Sequence, residues 1–173
     1  MPTWERLKNR LIAKLVTRFP VLARPLLAAQ YVLDTTEEVP WTPVRKPLRE
    51  STVAVVTTAG VHHRQQKPFD MLDREGDPSF RVLNGETIGK DFRITHDYYD
   101  HGDAERDLNI VLPLQRLEEL AREGAIGRVA DDHYGFMGHI TGRHLSTLLG
   151  QSAPQVTALL KLAGVDCVLL TPA

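Results

Sequence analysis

The sequence predicts an α/β fold, a mostly parallel sheet with helices on both faces, preceded by an N-terminal amphipathic helical arm. Three observations lead there. Residues 51–58 read STVAVVTT, and their apolar centre is continuous and rich in β-branched side chains, as a strand buried on both faces requires. Strand-like and helix-like segments then alternate along the chain, a pattern that closes most simply as a parallel sheet covered by helices. Polar segments at 60–63, 95–101 and 132–138 each follow a predicted strand, where sheets of this class bind ligands. The class is Rossmann-like in layout. No GxGxxG or GxxxxGKS pattern follows the first strand, so neither a dinucleotide nor a P-loop fingerprint is present.

In chain order, the arm comes first (1–33). Trp4, Leu7, Leu11, Leu15, Phe19 and Leu22 recur at helical spacing, with Thr3 as N-cap, Glu5 in the first turn, Pro20 as a breaker and Pro25 opening a second short helix. Arg6, Lys8, Arg10, Lys14, Arg18 and Arg24 face one acid, Glu5, so the arm is basic and the rest of the chain is acidic, for a net charge of −1. The favoured reading is a helix packed on the body or on another subunit. A sharper one is a basic helix lying on an anionic membrane surface, and a transit peptide is a third. Residues 34–50, with Pro40, Pro43, Pro47 and Trp41, read as an extended connector. The α/β domain spans 51–173. After the first strand, Ala59-Gly60 allows a tight turn or a close backbone approach before His62-His63. Strands are expected at 80–83, 92–95, 126–130 and 165–170, with a turn at Asn84-Gly85. Helices are expected at 115–123, stopping at Gly124, and from Ser152 or Ala153 through Leu162.

The totals exclude several classes. One cysteine among 173 residues, Cys167, rules out an internal disulfide and a cysteine-based metal site, and points to a reducing, cytoplasmic setting. No apolar run reaches the ~18 residues of a membrane span. The overall charge gives no pull toward nucleic acid.

The densest polar stretch is 93–114, RITHDYYDHGDAERDLNIVLPL. His96, Asp97, Asp100, His101 and Asp103 crowd eight positions, too polar for core. His96, His101 and His133 with Asp97 or Asp100 have the donor types for zinc, iron or manganese, but the spacing lacks the helical H-E-x-x-H context, and no metal is expected. The same groups suit general acid–base work, because histidine titrates near neutrality. His96 and Asp97 point to opposite faces of an extended segment, so His62 and His133 are the expected partners across the site. Tyr98, Tyr99 and Tyr134 can hydrogen-bond a substrate carboxylate or pack, and Arg81 or Arg93 can bind one. Cys167 reads as a small buried hydrophobe and Met137 as a gap filler.

VAVVTTAGVHH (53–63), DPSFRVL (77–83), ITHDYYDHGDAERDLNIVLPLQRLEELAREG (94–124), DDHYGFMG (131–138) and GVDCVLLTPA (164–173) together resemble selenoprotein B of the glycine, sarcosine, betaine and D-proline reductases. The similarity runs collinearly from about Trp41 to the end and leaves the basic arm outside it. The resemblance implies reductive cleavage of a carbon–nitrogen bond in an amino acid or N-methylated amine. A selenocysteine or cysteine attacks carbon, a pyruvoyl group on a partner subunit activates the amine, and a nearby cysteine accepts the selenium. It also implies a small amine substrate, a partner reductase subunit and an oligomer. The family's Sec/Cys motif comes directly after the strand that reads VDCVLLTPA here, so the nucleophile is absent from these residues and no cofactor is expected in this chain. Two expectations follow: a selenoprotein cut short at a UGA codon, which sequencing past Ala173 decides, or a redox-less paralogue with a binding or assembly role. On either, no C–N reductase turnover is expected from this polypeptide alone. His62, His96, Asp97, His133 and Tyr134 are the site candidates, on three turns expected to open onto one hollow beside Ala173.

Overall fold

The structure, a computed structural model, describes residues 4–19, 21, 42–84 and 91–173. Expectations at Thr3, Pro20, Leu22, Pro25, Pro40, Trp41 and Gly85 lie outside the described residues. The described residues form two units, one holding those up to Val44 together with Asp97–Asp100, the other those from Arg45 to His96 and His101–Ala173.

In the first unit, α1 (Trp4–Arg18) carries Glu5 in its first turn and Arg18 in its last, each matching the helix dipole. Its buried residue is the small Ala13, while Trp4, Leu7, Leu11 and Leu15, with Phe19 just beyond, are exposed. The apolar stripe is thus uncovered within the described residues of the first unit. No described helix is long and apolar enough to cross a membrane.

The second unit is built around β1 (Thr52–Thr57). After it come β2 (Val61–His63), β3 (Arg81–Asn84), β4 (Phe92–Ile94), α2 (Gly102–Arg106) and α3 (Leu114–Arg122). They are followed by β5 (Arg128–Val129), β6 (Asp132–Gly135), α4 (His144–Thr147), a π-helical turn (Leu148–Ser152), α5 (Ala153–Leu162) and β7 (Cys167–Thr171). β7 runs parallel to one edge of β1, from Val53 opposite Cys167 to Thr57 opposite Thr171. β5 and β6 run parallel to the other edge, and β3 pairs antiparallel with β6. The sheet is therefore mostly parallel, with one antiparallel strand.

Burial follows from these neighbours. Ala54 and Val55 of β1 are fully buried, as the apolar run demands. Tyr134, Phe136 and Val156 form one core cluster, against which Val56, Phe80, Ile140, Leu148 and Leu160 pack. α3 buries Leu114 and Leu117 and leaves Leu120 partly exposed. β7 is equally apolar in sequence, but among the described residues it pairs with β1 alone and leaves Val168, Leu169 and Leu170 exposed.

Two expected turns are strands. His62-His63 belong to β2, which pairs antiparallel with β4 through His62 opposite Arg93. His133-Tyr134 belong to β6. Polarity alone reads these segments as loops, but an imidazole can enter a sheet when its nitrogens find backbone or hydroxyl partners.

Candidate functional site

β5 and β6 are two halves of one interrupted strand. Val53 pairs with both Val129 and Cys167, and Val56 with both Tyr134 and Leu170, so β5 and β6 share the β1 edge that β7 leaves open. Between Val129 and Tyr134 the strand carries two residues more than β1 does between Val53 and Val56. This bulge removes the ladder acceptor for Val55. His133 supplies it: the Val55 N–H donates to His133 Nδ1 at 3.0 Å. An accepting Nδ1 cannot carry the proton, so the neutral ring holds it on Nε2, which finds no hydrogen-bond partner among the described residues. His133 is fully buried, and burial drives its pKa from 6.5 down to about 4 against the pull of Asp131.

The carboxyl ends of β1 and β7 form a laced rim. The Phe136 N–H donates to the Thr57 carbonyl, the Gly60 N–H to the Phe136 carbonyl and the Thr95 N–H to the Gly60 carbonyl, at 2.8–2.9 Å. Gly60 has φ +71°, and a Cβ there would lie 2.4 Å from the Thr95 carbonyl oxygen, so both its backbone conformation and the close approach require glycine. On the β7 side the Thr58 N–H donates to the Thr171 carbonyl at 3.0 Å, and the Ala173 N–H reaches the Thr58 hydroxyl at 3.3 Å.

Gly138 is where these segments meet. A Cβ on it would lie 3.0 Å from the Thr58 carbonyl oxygen and 3.4 Å from both the Ala173 carbonyl oxygen and His96 Nε2. His96 is buried. His62 joins the same corner through Thr95, the residue before His96. His62 Nδ1 donates to the His63 carbonyl at 2.8 Å, and Nε2 accepts from the Thr95 hydroxyl at 2.9 Å. Burial pushes the His62 pKa below 6.5, the bond to the His63 carbonyl opposes this, and the Arg81 charge adds to the fall. The structure thus brings His62, Thr95, His96, Gly138 and Ala173 together.

It does not bring His133 or Tyr134 to that corner. His133 is a rung inside the sheet. Tyr134 is its neighbour on the strand, so it points to the opposite face, into the core cluster edge-on to Phe80 at 5.9 Å. Burial raises the Tyr134 pKa, and Asp132 adds to the rise. Asp97 is buried in the first unit, where Arg6 donates to both its carboxylate oxygens. Arg81 is committed to the Lys67 and Phe80 carbonyls and stacks 4.3 Å from the Phe69 ring centroid. Arg93 donates to the Phe92 carbonyl.

Sequence reasoning missed Thr95, Gly138 and Thr58 as rim residues. A threonine ending a strand and a glycine inside a polar segment were the available signals. It also missed a polar cleft of about 410 Å³ lined by Lys67, Asp70, Asp73, Asp77, Arg81 and His144. Asp73, Glu75 and His144 are the one described group close enough to share a metal, their ligand atoms lying within 4.8 Å of one another. The Arg143 guanidinium already bridges both carboxylates and offsets one of their two charges.

Residues 5–173 match the glycine/sarcosine/betaine reductase selenoprotein B family. The chain belongs to that family. It is 39% identical over 145 residues to the D-proline reductase subunit gamma of Acetoanaerobium sticklandii, covering 84% of this chain and 58% of that protein. It is 31% identical over 139 residues to the glycine reductase complex component B subunit gamma of Carboxydothermus hydrogenoformans, covering 78% of this chain and 31% of the relative. Against the betaine reductase complex component B subunit beta of Peptoclostridium acidaminophilum it is 32% identical over 133 residues, 73% of this chain and 29% of the relative. The chain thus spans between about three-tenths and three-fifths of the length of these relatives. No solved structure matches it. The family match begins at residue 5, so all of the basic helix α1 but Trp4 lies inside it, which corrects the expectation that the similarity leaves the arm out.

Proposed function

We propose that this chain is the B-subunit portion of an amino-acid reductase, an oxidoreductase that cleaves a carbon–nitrogen bond reductively in a glycine-, sarcosine-, betaine- or D-proline-like substrate and works with a partner subunit. The observation that carries the reading is the meeting of His96, the Thr58 carbonyl and the end of β7 around Gly138, in a chain 39% identical to a D-proline reductase subunit. Only a hydrogen stands on the Gly138 Cα, and a Cβ there would already lie 3.0 Å from the Thr58 carbonyl oxygen, so glycine lets these three segments close on one another and sets His96 at the strand-end rim. In this reading His96 touches the substrate, donating a hydrogen bond to its carboxylate or moving a proton at Nε2. His62 acts through Thr95 as a positioning residue. His133 holds the bulged strand in register, Tyr134 fixes the opposite face, and Asp97 anchors the residues after His96 through Arg6.

A pyruvoyl group on a partner would activate the amine, and no residue of this chain is assigned to hold it. Nor does this chain's own thiol fit the chalcogen role. Cys167 pairs with Val53 at the amino end of β1. It lies four residues, about 13 Å, along the strand from Thr171 and the rim. The electron pair that cleaves the C–N bond therefore comes from a selenol or thiol outside these 173 residues. That same point supports the second reading, a non-catalytic subunit that binds a small ligand or serves assembly.

Titration calorimetry of the full chain with D-proline, glycine, sarcosine and betaine tests the proposal, with thiol oxidation followed in parallel. One of the four should bind, and His96→Ala should weaken it about tenfold, the loss of a hydrogen bond to a charged group. Binding of none of them, with and without a partner reductase subunit, would sink the substrate reading. Amine-dependent thiol oxidation by the pure chain would overturn the need for an outside chalcogen.

A further inference from the structure

We infer that α1 docks in the plane of an anionic lipid surface, a binding function separate from the reductase reading and independent of it. The helix is turned inside out relative to an ordinary surface helix. Its small and polar side carries the contacts: Ala13 is buried, Asn9 and Val16 are partly covered, and Arg6 is held by Asp97. Its large apolar side chains, Trp4, Leu7, Leu11, Ile12 and Leu15, are exposed, with Trp4 at 76%. At 100° per residue they cover an arc of about 140° along a cylinder about 22 Å long. An apolar stripe that wide, left open by the described residues of its own unit, needs a cover.

Charge selects the cover. Lys8, Arg10, Lys14 and Arg18 are all exposed, and Glu5 is the helix's one acid. Lys8 and Arg18 fall within the angular width of the stripe, while Arg10 and Lys14 flank it. A dry helix–helix seam would have to desolvate the two inner cations, and a second copy of α1 would set four cations against four. A lipid interface has neither problem. The aliphatic stems lie along the acyl boundary, the charged heads reach up to anionic headgroups, and the indole of Trp4 sits at the interface. The Arg6–Asp97 pair lies on the opposite side and is left intact by this docking.

The test is sedimentation of the full chain with vesicles at physiological ionic strength. One set is pure phosphatidylcholine and the other contains roughly one-third phosphatidylglycerol. The Trp41→Phe background leaves Trp4 as the single indole. Anionic vesicles should capture at least about tenfold more protein than neutral ones, with a blue shift of Trp4 emission and a loss of binding as salt rises. Arg10→Gln with Lys14→Gln should lower capture about 25-fold, at about fivefold per cation near the surface. Leu11→Glu should abolish it at unchanged melting temperature, since Leu11 is already exposed. Absence of capture, capture that is equal on neutral vesicles, or an unshifted Trp4 would overturn the inference. So would self-association that Leu11→Glu removes while vesicles bind nothing, which would assign the stripe to a second copy.

Discussion

Acidifying the protein from pH 6.5 toward 4 should destabilise it chiefly through His133. The folded ring is held neutral because burial lowers its pKa to about 4 and because protonating Nδ1 would eject the Val55 N–H. In the unfolded chain the same ring titrates near 6.5. Below that pH the unfolded state takes up a proton that the folded state refuses, so unfolding gains. Stability from this group is complete above pH 6.5, falls as pH drops, and levels off once the folded ring itself protonates near 4. The gap is worth about 3 kcal/mol, at ~1.36 kcal/mol per pK unit. His62 and His63, also lowered by burial, add to the loss with the same sign. The depressed carboxyls of Asp73, Asp77, Asp107 and Asp166 act only below their ordinary 3.8, so the two windows separate. Urea unfolding at a series of pH values, for the wild type and His133→Asn, measures the effect. Asparagine can offer Oδ1 to Val55 without titrating, so its unfolding free energy should lose about one proton's worth of slope, ~1.4 kcal/mol per pH unit across the window. His133→Leu leaves the Val55 N–H without an acceptor and should cost a further ~1–3 kcal/mol at every pH. An unchanged slope in His133→Asn, or a ring titrating near 6.5 by NMR in the folded protein, would refute the reasoning.

Two further perturbations probe the same framework. Gly60→Ala places a non-glycine residue at φ +71° and a methyl 2.4 Å from a backbone oxygen, so it should cost at least ~1–3 kcal/mol and lower the melting temperature, whereas an unchanged melting curve would show that the lacing of Gly60 to Thr95 is loose. Asp97→Asn removes the charge that Arg6 binds and should cost about 2 kcal/mol, seen as lost hydrogen-exchange protection in α1; a double-mutant cycle with Arg6→Gln that returns no coupling would show the pair to be incidental.

The local signals that survive into the structure are those that depend on neighbours along the chain. The β-branched run at 52–57 is a central strand, the amphipathic run at 114–122 is a helix, and the run at 153–162 is a helix with Pro154 in its first turn. The collinear motifs, read together, identify the family, because order along the chain is preserved whatever the packing. His96, Gly138 and Ala173, each in a segment that follows a strand, do meet at one rim.

What the sequence left undetermined is which side of each element is covered, and that depends on neighbours remote in the chain. His133 reads as a free imidazole until a two-residue bulge strips Val55 of its ladder acceptor and makes the ring a substitute rung. Tyr134 reads as a polar tip until strand alternation turns it into the core. The apolar sequence of β7 reads as interior, yet among the described residues it pairs with β1 alone and stays partly exposed. Periodicity fixes which residues of α1 share a face, but only the tertiary arrangement shows that, among the described residues, the face with Ala13 is covered and the face with Leu11 is open. Local propensity is a property of consecutive residues; burial is a property of the surfaces that other segments bring, and no single stretch of sequence contains them.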